Sequence, residues 1–179
     1  ADDHEIDENW EPNADDATRA VVRARGVAAF ARHPRAAAPT ASGGRGPVLR
    51  TDGGPTVFLA DTRLGRHRRR LGTLSHASIL EATGWTALRD WLVARQRAEP
   101  WRPKFVVCPA LLLPRRLSST VDAPASALRS DAWDGFPGSL HRFFRLLLDE
   151  GIRNVVVISG DEHFSMTCLL YTSPSPRDS

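Results

Sequence analysis

The chain has 179 residues, 41% of them hydrophobic, which is enough for one ordinary domain with a core and excludes disorder over the whole length. Its formal net charge of +3 comes mainly from arginine, with Lys104 the single lysine, and this modest excess does not indicate a nucleic-acid partner. No apolar run approaches the roughly 20 residues that a membrane span needs, so we expect no membrane partner.

The N-terminal part predicts a helix followed by a surface loop. Residues 14–33 combine a capping residue, Asp15 or Asp16, with apolar positions at helical spacing. Residues 34–55 are rich in Pro, Gly, Ala and Ser, a composition that is typical of surface loops. We therefore expect residues 34–55 to be a flexible insertion.

The remaining chain alternates strand and helix patterns. Short β-branched or apolar runs predict three buried strands, at residues 56–60, 104–108 and 154–158. Helical patterns lie between them at residues 84–97 and 139–150, and Gly151 is well placed to end the second helix. This order indicates an α/β fold, in which catalytic groups commonly follow the carboxyl ends of the strands.

Two short motifs carry the residue types of a metal site. They are DDHE at residues 2–5 and GDEH at residues 160–163, the second directly after the last predicted strand. Carboxylate and imidazole groups bind divalent metals, and Gly160 allows a sharp turn that directs Asp161 and His163 into one cavity. Taken singly, each motif is as typical of a solvated helix cap or a polar turn, so their combination carries the interpretation.

Four segments together resemble a known family. DDHEIDENW, FLADTR, SDAWDGFP and VVVISGDEH look like blocks of the alkaline phosphatase D (PhoD-like) metallophosphatases, in the order of that family. The resemblance runs from residue 1 to about residue 165. It implies part of a metallophosphoesterase-type two-sheet β core flanked by helices, with the metal site at the loops past the strand ends.

The resemblance also implies roles for individual residues. Asp3, Asp161 and His163 stand at metal-ligand positions, and His4 stands at the catalytic position that contacts the phosphate or the leaving group. The implied cofactors are two or more metal ions, with Ca, Fe, Mn and Zn not distinguished. The implied reaction is attack of metal-activated water on a small-molecule phosphate mono- or diester.

Four further residues are expected beside the ligands, where they would bind substrate or support the site: Asp2, Arg63, Trp133 and Asp134. Structural alternatives are open for three of them. Trp133 could equally be a core residue and Asp134 a helix cap. Arg63 could form a buried pair with Asp61 that only supports the fold.

The last residues differ in character from those before them. CLLYTSPSPRD, at residues 168–178, lacks the arginine-alanine bias of the preceding chain, and one set of codons that encodes it resembles a transposon-end adapter of sequencing libraries. We expect residues 168–179 to be a non-native tail and residues 1–167 to be a partial domain. Because the chain begins at Ala1 and its only methionine is Met166, we expect a piece of a longer protein that lacks upstream ligands and is inactive alone.

Three alternative interpretations are compatible with parts of the sequence. The chain could be a non-catalytic remnant, or an unrelated metal-dependent hydrolase that uses Asp and His ligands in a similar way. The basic run RLGRHRRR at residues 63–70 could attract a polyanion, but no aromatic residue is interleaved to stack bases, so we expect no stable nucleic-acid partner. Oligomeric state is open, and the resemblance implies an extracytoplasmic parent protein.

Overall fold

A computed structural model of the chain describes residues 17–32, 48–50, 54–113, 128, 130–160 and 167. Within these residues, four strands form one sheet in the order β1-β2-β3-β4: Val48–Arg50, Thr56–Leu59, Lys104–Cys108 and Val155–Ser159. Strand β1 pairs with β2 antiparallel, whereas β2, β3 and β4 are parallel neighbours. The parallel strands confirm the predicted α/β arrangement.

Three α-helices accompany the described sheet: α1 Ala17–Arg32, α2 Ala82–Ala98 and α3 Pro137–Asp149. Short 3-10 helices lie at Leu71–Thr73 and Trp133–Gly135. Each α-helix covers the segment that its periodicity predicts. Helix α3 begins with Pro137. Proline has no amide hydrogen, but at the first position of a helix that hydrogen would have no partner within the helix. The helix ends before Gly151, whose φ is +59°.

Two helices and one face of the sheet form the core. Helix α2 buries Trp85, Leu88 and Leu92, and α3 buries Phe143. They pack with strand residues such as Phe58, which is 1% exposed. Because successive strand residues point to opposite faces, this face carries every second residue of the parallel strands.

The opposite face of the parallel sheet is also apolar. The strand registers align six residues on it: Val57, Leu59, Phe105, Val107, Val156 and Ile158. Val156 and Ile158 are 40% and 48% exposed, and the other four are half-buried. Parallel sheets usually have both faces covered, so this face has the composition of a packing surface.

The structure corrects one prediction and adjusts another. The prediction that residues 34–55 are loop throughout is wrong at Val48–Arg50, which forms strand β1. This short strand depends on the free edge of β2, a partner that local composition does not reveal. Strand β4 begins at Val155, one residue later than predicted, because Asn154 has a φ of 55° and cannot continue the strand. Residues 34–47 and 51–53 lie outside the described residues.

None of the helices in the part of the chain that the structure describes has the length and hydrophobicity that a membrane crossing requires.

Candidate active site

The loops that follow β2, β3 and β4 are hydrogen-bonded to one another at the carboxyl edge of the sheet. The amide of Ala110, after β3, donates to the hydroxyl of Thr62, after β2, over 3.3 Å, and Thr62 is fully buried. The amide of Gly160, after β4, donates to the carbonyl of Pro109 over 3.3 Å. The three loops therefore form a connected rim at the edge where α/β proteins carry their sites.

The floor of this rim contains a buried cysteine. The Cys108 thiol donates to the carbonyl of Ala110 over 3.2 Å, and its sulfur lies 3.6 Å from the hydroxyl oxygen of Ser159. Burial raises the pKa of Cys108 because the thiolate would lose its hydration, and contacts with Ser159 and Trp133 lower it by less. A thiol of this kind stays protonated near neutral pH, so Cys108 joins β3 to β4 rather than serving as a nucleophile.

The turn after β2 is closed by Asp61. Its Oδ1 accepts hydrogen bonds from the backbone amides of Arg63 over 3.0 Å and Leu64 over 2.9 Å. This is an Asx-type turn, in which a carboxylate satisfies amides that would otherwise lack partners. Asp61 is exposed and bonds the backbone amide of Arg63, so the contact differs from the buried side-chain pair that the sequence suggested.

The buried Arg63 side chain instead pairs with the SDAWDGFP block. One of its terminal nitrogens lies 3.0 Å from Oδ2 of Asp131, and the side chains of Arg63 and Asp131 are 1% and 32% exposed. The residues are 68 apart in sequence. This contact joins the loop after β2 to the segment that precedes α3, so Arg63 supports the fold through Asp131.

Trp133 and Asp134 both have structural partners. Trp133 is 1% exposed and lies in the core, with its ring centroid 6.0 Å from Trp85 and 5.5 Å from Phe143. Trp133 therefore lies in the core, and its role beside the substrate stays a prediction. Asp134 accepts a hydrogen bond from the hydroxyl of Ser130 and belongs to the short 3-10 helix, so it is not the cap of a longer helix.

Part of the basic run 63–70 is used inside the protein. Arg66 is 3% exposed and stacks over the ring of Phe136, at 5.4 Å from the centroid. Arg69 lies at 4.6 Å from the same centroid and donates to the carbonyl of Gly135 over 3.3 Å. The run has no regular secondary structure, so its spacing in sequence does not identify which arginines point inward.

Five predicted site residues lie outside the described residues, and their roles stay predictions: the metal ligands Asp3, Asp161 and His163, the catalytic His4, and the supporting Asp2. Gly160, which precedes Asp161 in the sequence, is the last described residue of the third loop of the rim. Among the residues that the structure describes, no group of three or more His, Cys, Asp or Glu side chains is placed to hold a metal ion.

A family model described as PhoD-like phosphatase matches residues 1–179. The chain belongs to the PhoD-like phosphatase family. This confirms the resemblance, and a phosphoesterase function follows for the family as a class. No curated protein and no solved structure matches the chain. The matched range includes residues 168–179, whose expected non-native origin stays a prediction.

Proposed function

We propose that this chain carries part of a metal-dependent phosphoesterase that hydrolyses phosphate mono- or diesters with metal-activated water. The observation that carries the proposal is the connected rim at the carboxyl edge of the sheet. It brings FLADTR, SDAWDGFP and the start of SGDEH, three of the four PhoD-like segments, to one end of the fold. Segments that are far apart in sequence converge there, as the parts of an α/β active site do.

The proposed ligands are Asp3, Asp161 and His163, with His4 beside the phosphate. Asp161 is bonded to Gly160, whose amide is held on the carbonyl of Pro109 at this edge, and this supports Asp161 and His163 as groups that leave the sheet at the site. Two or more bound metal ions would activate the water and neutralise charge on the phosphate. His4 would contribute a proton or a hydrogen bond to the leaving oxygen.

The described residues contribute rigidity to this site. Arg63 and Asp131 form their ion pair with Arg63 almost fully buried, so the contact is poorly screened by water. It fixes the loop after β2 against the segment before α3. We propose that Arg63 and Asp134 position the rim, that Trp133 does so from the core, and that Asp2 supports the neighbouring ligand Asp3.

The apolar second face of the sheet supports the two-sheet core that the family resemblance implies. Six aligned apolar residues on three parallel strands would be an unusual surface for water, because parallel sheets are normally covered on both sides. We propose that a second sheet packs on this face in the complete domain.

The remaining parts of the proposal concern the setting. The substrate would be a small-molecule phosphate ester and the parent protein extracytoplasmic. A stable nucleic-acid partner is not proposed, because Arg66 and Arg69 stack on Phe136 and contribute less to an outward basic surface.

The test uses the protein encoded by the complete reading frame of the source DNA, called here the full-length protein, assayed on a chromogenic phosphate monoester and diester with and without a chelator. We expect metal-dependent turnover that falls by at least about 100-fold in Asp161→Asn and in His163→Ala. Asp149→Asn is the matched control, since that carboxylate is exposed on α3 and pairs only with Arg145 among the described residues. Equal activity in Asp161→Asn and Asp149→Asn, or no turnover by the unsubstituted full-length protein, would refute the proposal.

A further inference from the structure

A cleft of about 390 Å³ opens at the amino edge of the sheet, at the end of the strands opposite the candidate active site. Its volume falls within the range of roughly 300–1,000 Å³ that is typical of small-molecule sites. Five side chains determine its chemistry: Trp91, Arg95 and Glu99 from α2, Arg102 from the following loop, and Lys104 at the start of β3. We refer to it as the amino-edge cleft.

The amino-edge cleft is positively charged. Among the described residues that line it, Arg95, Arg102 and Lys104 face the carboxylate of Glu99, which gives these four side chains an excess of two positive charges. The Lys104 ammonium is buried and donates to the carbonyls of Pro100, Arg102 and Arg153 over 3.3, 3.1 and 3.0 Å. Because its donors are used in this way, Lys104 contributes to the electric field of the cleft and does not need to contact a ligand.

The two arginines have donors left for a ligand. Arg95 meets one oxygen of Glu99 at 3.5 Å, and Arg102 meets the other at 3.4 Å. Each guanidinium carries five N–H groups, so one long contact leaves most of them for solvent or for an anion. Two guanidinium groups on either side of one carboxylate form a place where a second oxyanion gains charge-assisted hydrogen bonds.

Trp91 gives the amino-edge cleft an apolar wall. It lies one helical turn before Arg95, and its ring centroid is 5.5 Å from that of Phe58. Its indole N–H is buried without a hydrogen-bond partner in the part of the chain that the structure describes. This nitrogen is shielded from the cleft, so Trp91 contributes only the apolar part of its ring to a ligand.

We propose that the amino-edge cleft binds a small organic anion. Arg95 and Arg102 bind a carboxylate or phosphate-type head group, and a flat apolar body lies along Trp91. The cleft and the candidate active site lie at opposite edges of the sheet and share none of these residues. The proposal therefore stands or fails independently of the phosphoesterase function.

The test measures binding to the 179-residue chain by isothermal titration calorimetry. The probes are phenylphosphonate, which resists hydrolysis, benzoate, and inorganic phosphate as the head group alone. We expect saturable binding of phenylphosphonate and benzoate, both tighter than phosphate. Arg102→Gln should weaken phenylphosphonate binding by about tenfold, because one charged hydrogen-bonding group is lost.

Two further variants and one control separate the cleft from general charge. Arg95→Gln should match Arg102→Gln, and Trp91→Leu should remove the preference for phenylphosphonate over phosphate. Arg145→Gln removes an equal charge from an exposed position on α3, and its affinity for phenylphosphonate should equal that of the unsubstituted chain. Circular dichroism checks that each variant keeps its helices. The proposal would be overturned if Arg102→Gln, Arg95→Gln and the unsubstituted chain bound phenylphosphonate with equal affinity. It would also be overturned if no probe showed saturable binding up to about 10 mM.

Discussion

The start of α3 approaches a neighbouring loop so closely that only glycine fits. A Cβ atom added at Gly138 would stand 2.3 Å from the carbonyl oxygen of Ser75, which is a backbone atom and cannot rotate away. The next residue holds the same loop, since the hydroxyl of Ser139 accepts a hydrogen bond from the amide of Ile79 over 3.0 Å. Gly138→Ala must therefore push α3 and this loop apart.

The magnitude follows from two opposed effects. Forced overpacking in a well-packed region costs about 1–3 kcal/mol. Alanine in place of glycine returns up to about 1 kcal/mol within a helix, and less in the first turn, where Gly138 lies. We expect the free energy of unfolding of Gly138→Ala to fall by about 1–2 kcal/mol, with a further loss of about 1 kcal/mol if the bond from Ile79 to Ser139 breaks.

The assay is urea unfolding followed by circular dichroism, with Gly84→Ala as the matched control. Gly84 is in the first turn of α2, and its added Cβ would meet only the Cβ of Leu80 at 3.7 Å, an ordinary contact. The same substitution should therefore leave Gly84→Ala as stable as the parent or more stable, by up to about 1 kcal/mol. If Gly138→Ala is as stable as Gly84→Ala, the close approach of α3 to Ser75 is not present in solution.

Three further predictions concern the described residues. Gly151→Ala should lower the free energy of unfolding by about 1 kcal/mol because of its positive φ, whereas Gly72→Ala, which also meets no neighbour, should have little effect in the same urea titration. In a Cys168→Ser background, Cys108 should react with a thiol reagent at pH 8 only after urea unfolds the chain, and rapid labelling of the folded chain would contradict its burial. Burial lowers the pKa of Lys104 in the folded chain, so the unfolded chain binds more protons just below the ordinary value of 10.5. The free energy of unfolding of the unsubstituted chain, relative to that of Lys104→Met, should therefore rise as pH approaches 10.5. A difference that does not change with pH would refute this reasoning.

Helices and strands that are encoded by a pattern within their own residues lie where the sequence predicts them. Helix α2 and strand β3 are encoded by runs with a clear helical or buried-strand pattern, and β3 occupies the predicted residues 104–108. Strand β1 is different, because three residues within a Pro- and Gly-rich stretch become a strand only when the edge of β2 provides hydrogen-bond partners. That information lies in the pairing and not in the residues of β1.

The candidate site divides in the same way. The position of the rim past the carboxyl ends of the strands follows from the α/β arrangement, which the alternation of strand and helix patterns predicts. The contact of Arg63 with Asp131 joins residues 68 apart, and nothing in either segment specifies the other. The sequence left open whether Trp133 lines a pocket or lies in the core, since a tryptophan beside two aspartates suits both. Packing against Trp85 and Phe143 decides for the core.

The hydrogen bonds of the carboxyl-edge rim have a consequence for the order of folding. Thr62 and Ala110 are separated by 48 residues, and the bond between Pro109 and Gly160 spans a similar length, so neither can form before distant strands have paired. Local helices form quickly, and we expect these long-range bonds to form later, after the parallel strands have paired. The amide of Ala110, a residue that is 4% exposed, should accordingly exchange with solvent deuterium more slowly than the amide of the exposed Gly160. A truncation that removes β4 would delete the bond between Pro109 and Gly160, whereas the residues of the bond between Thr62 and Ala110 would remain in the chain.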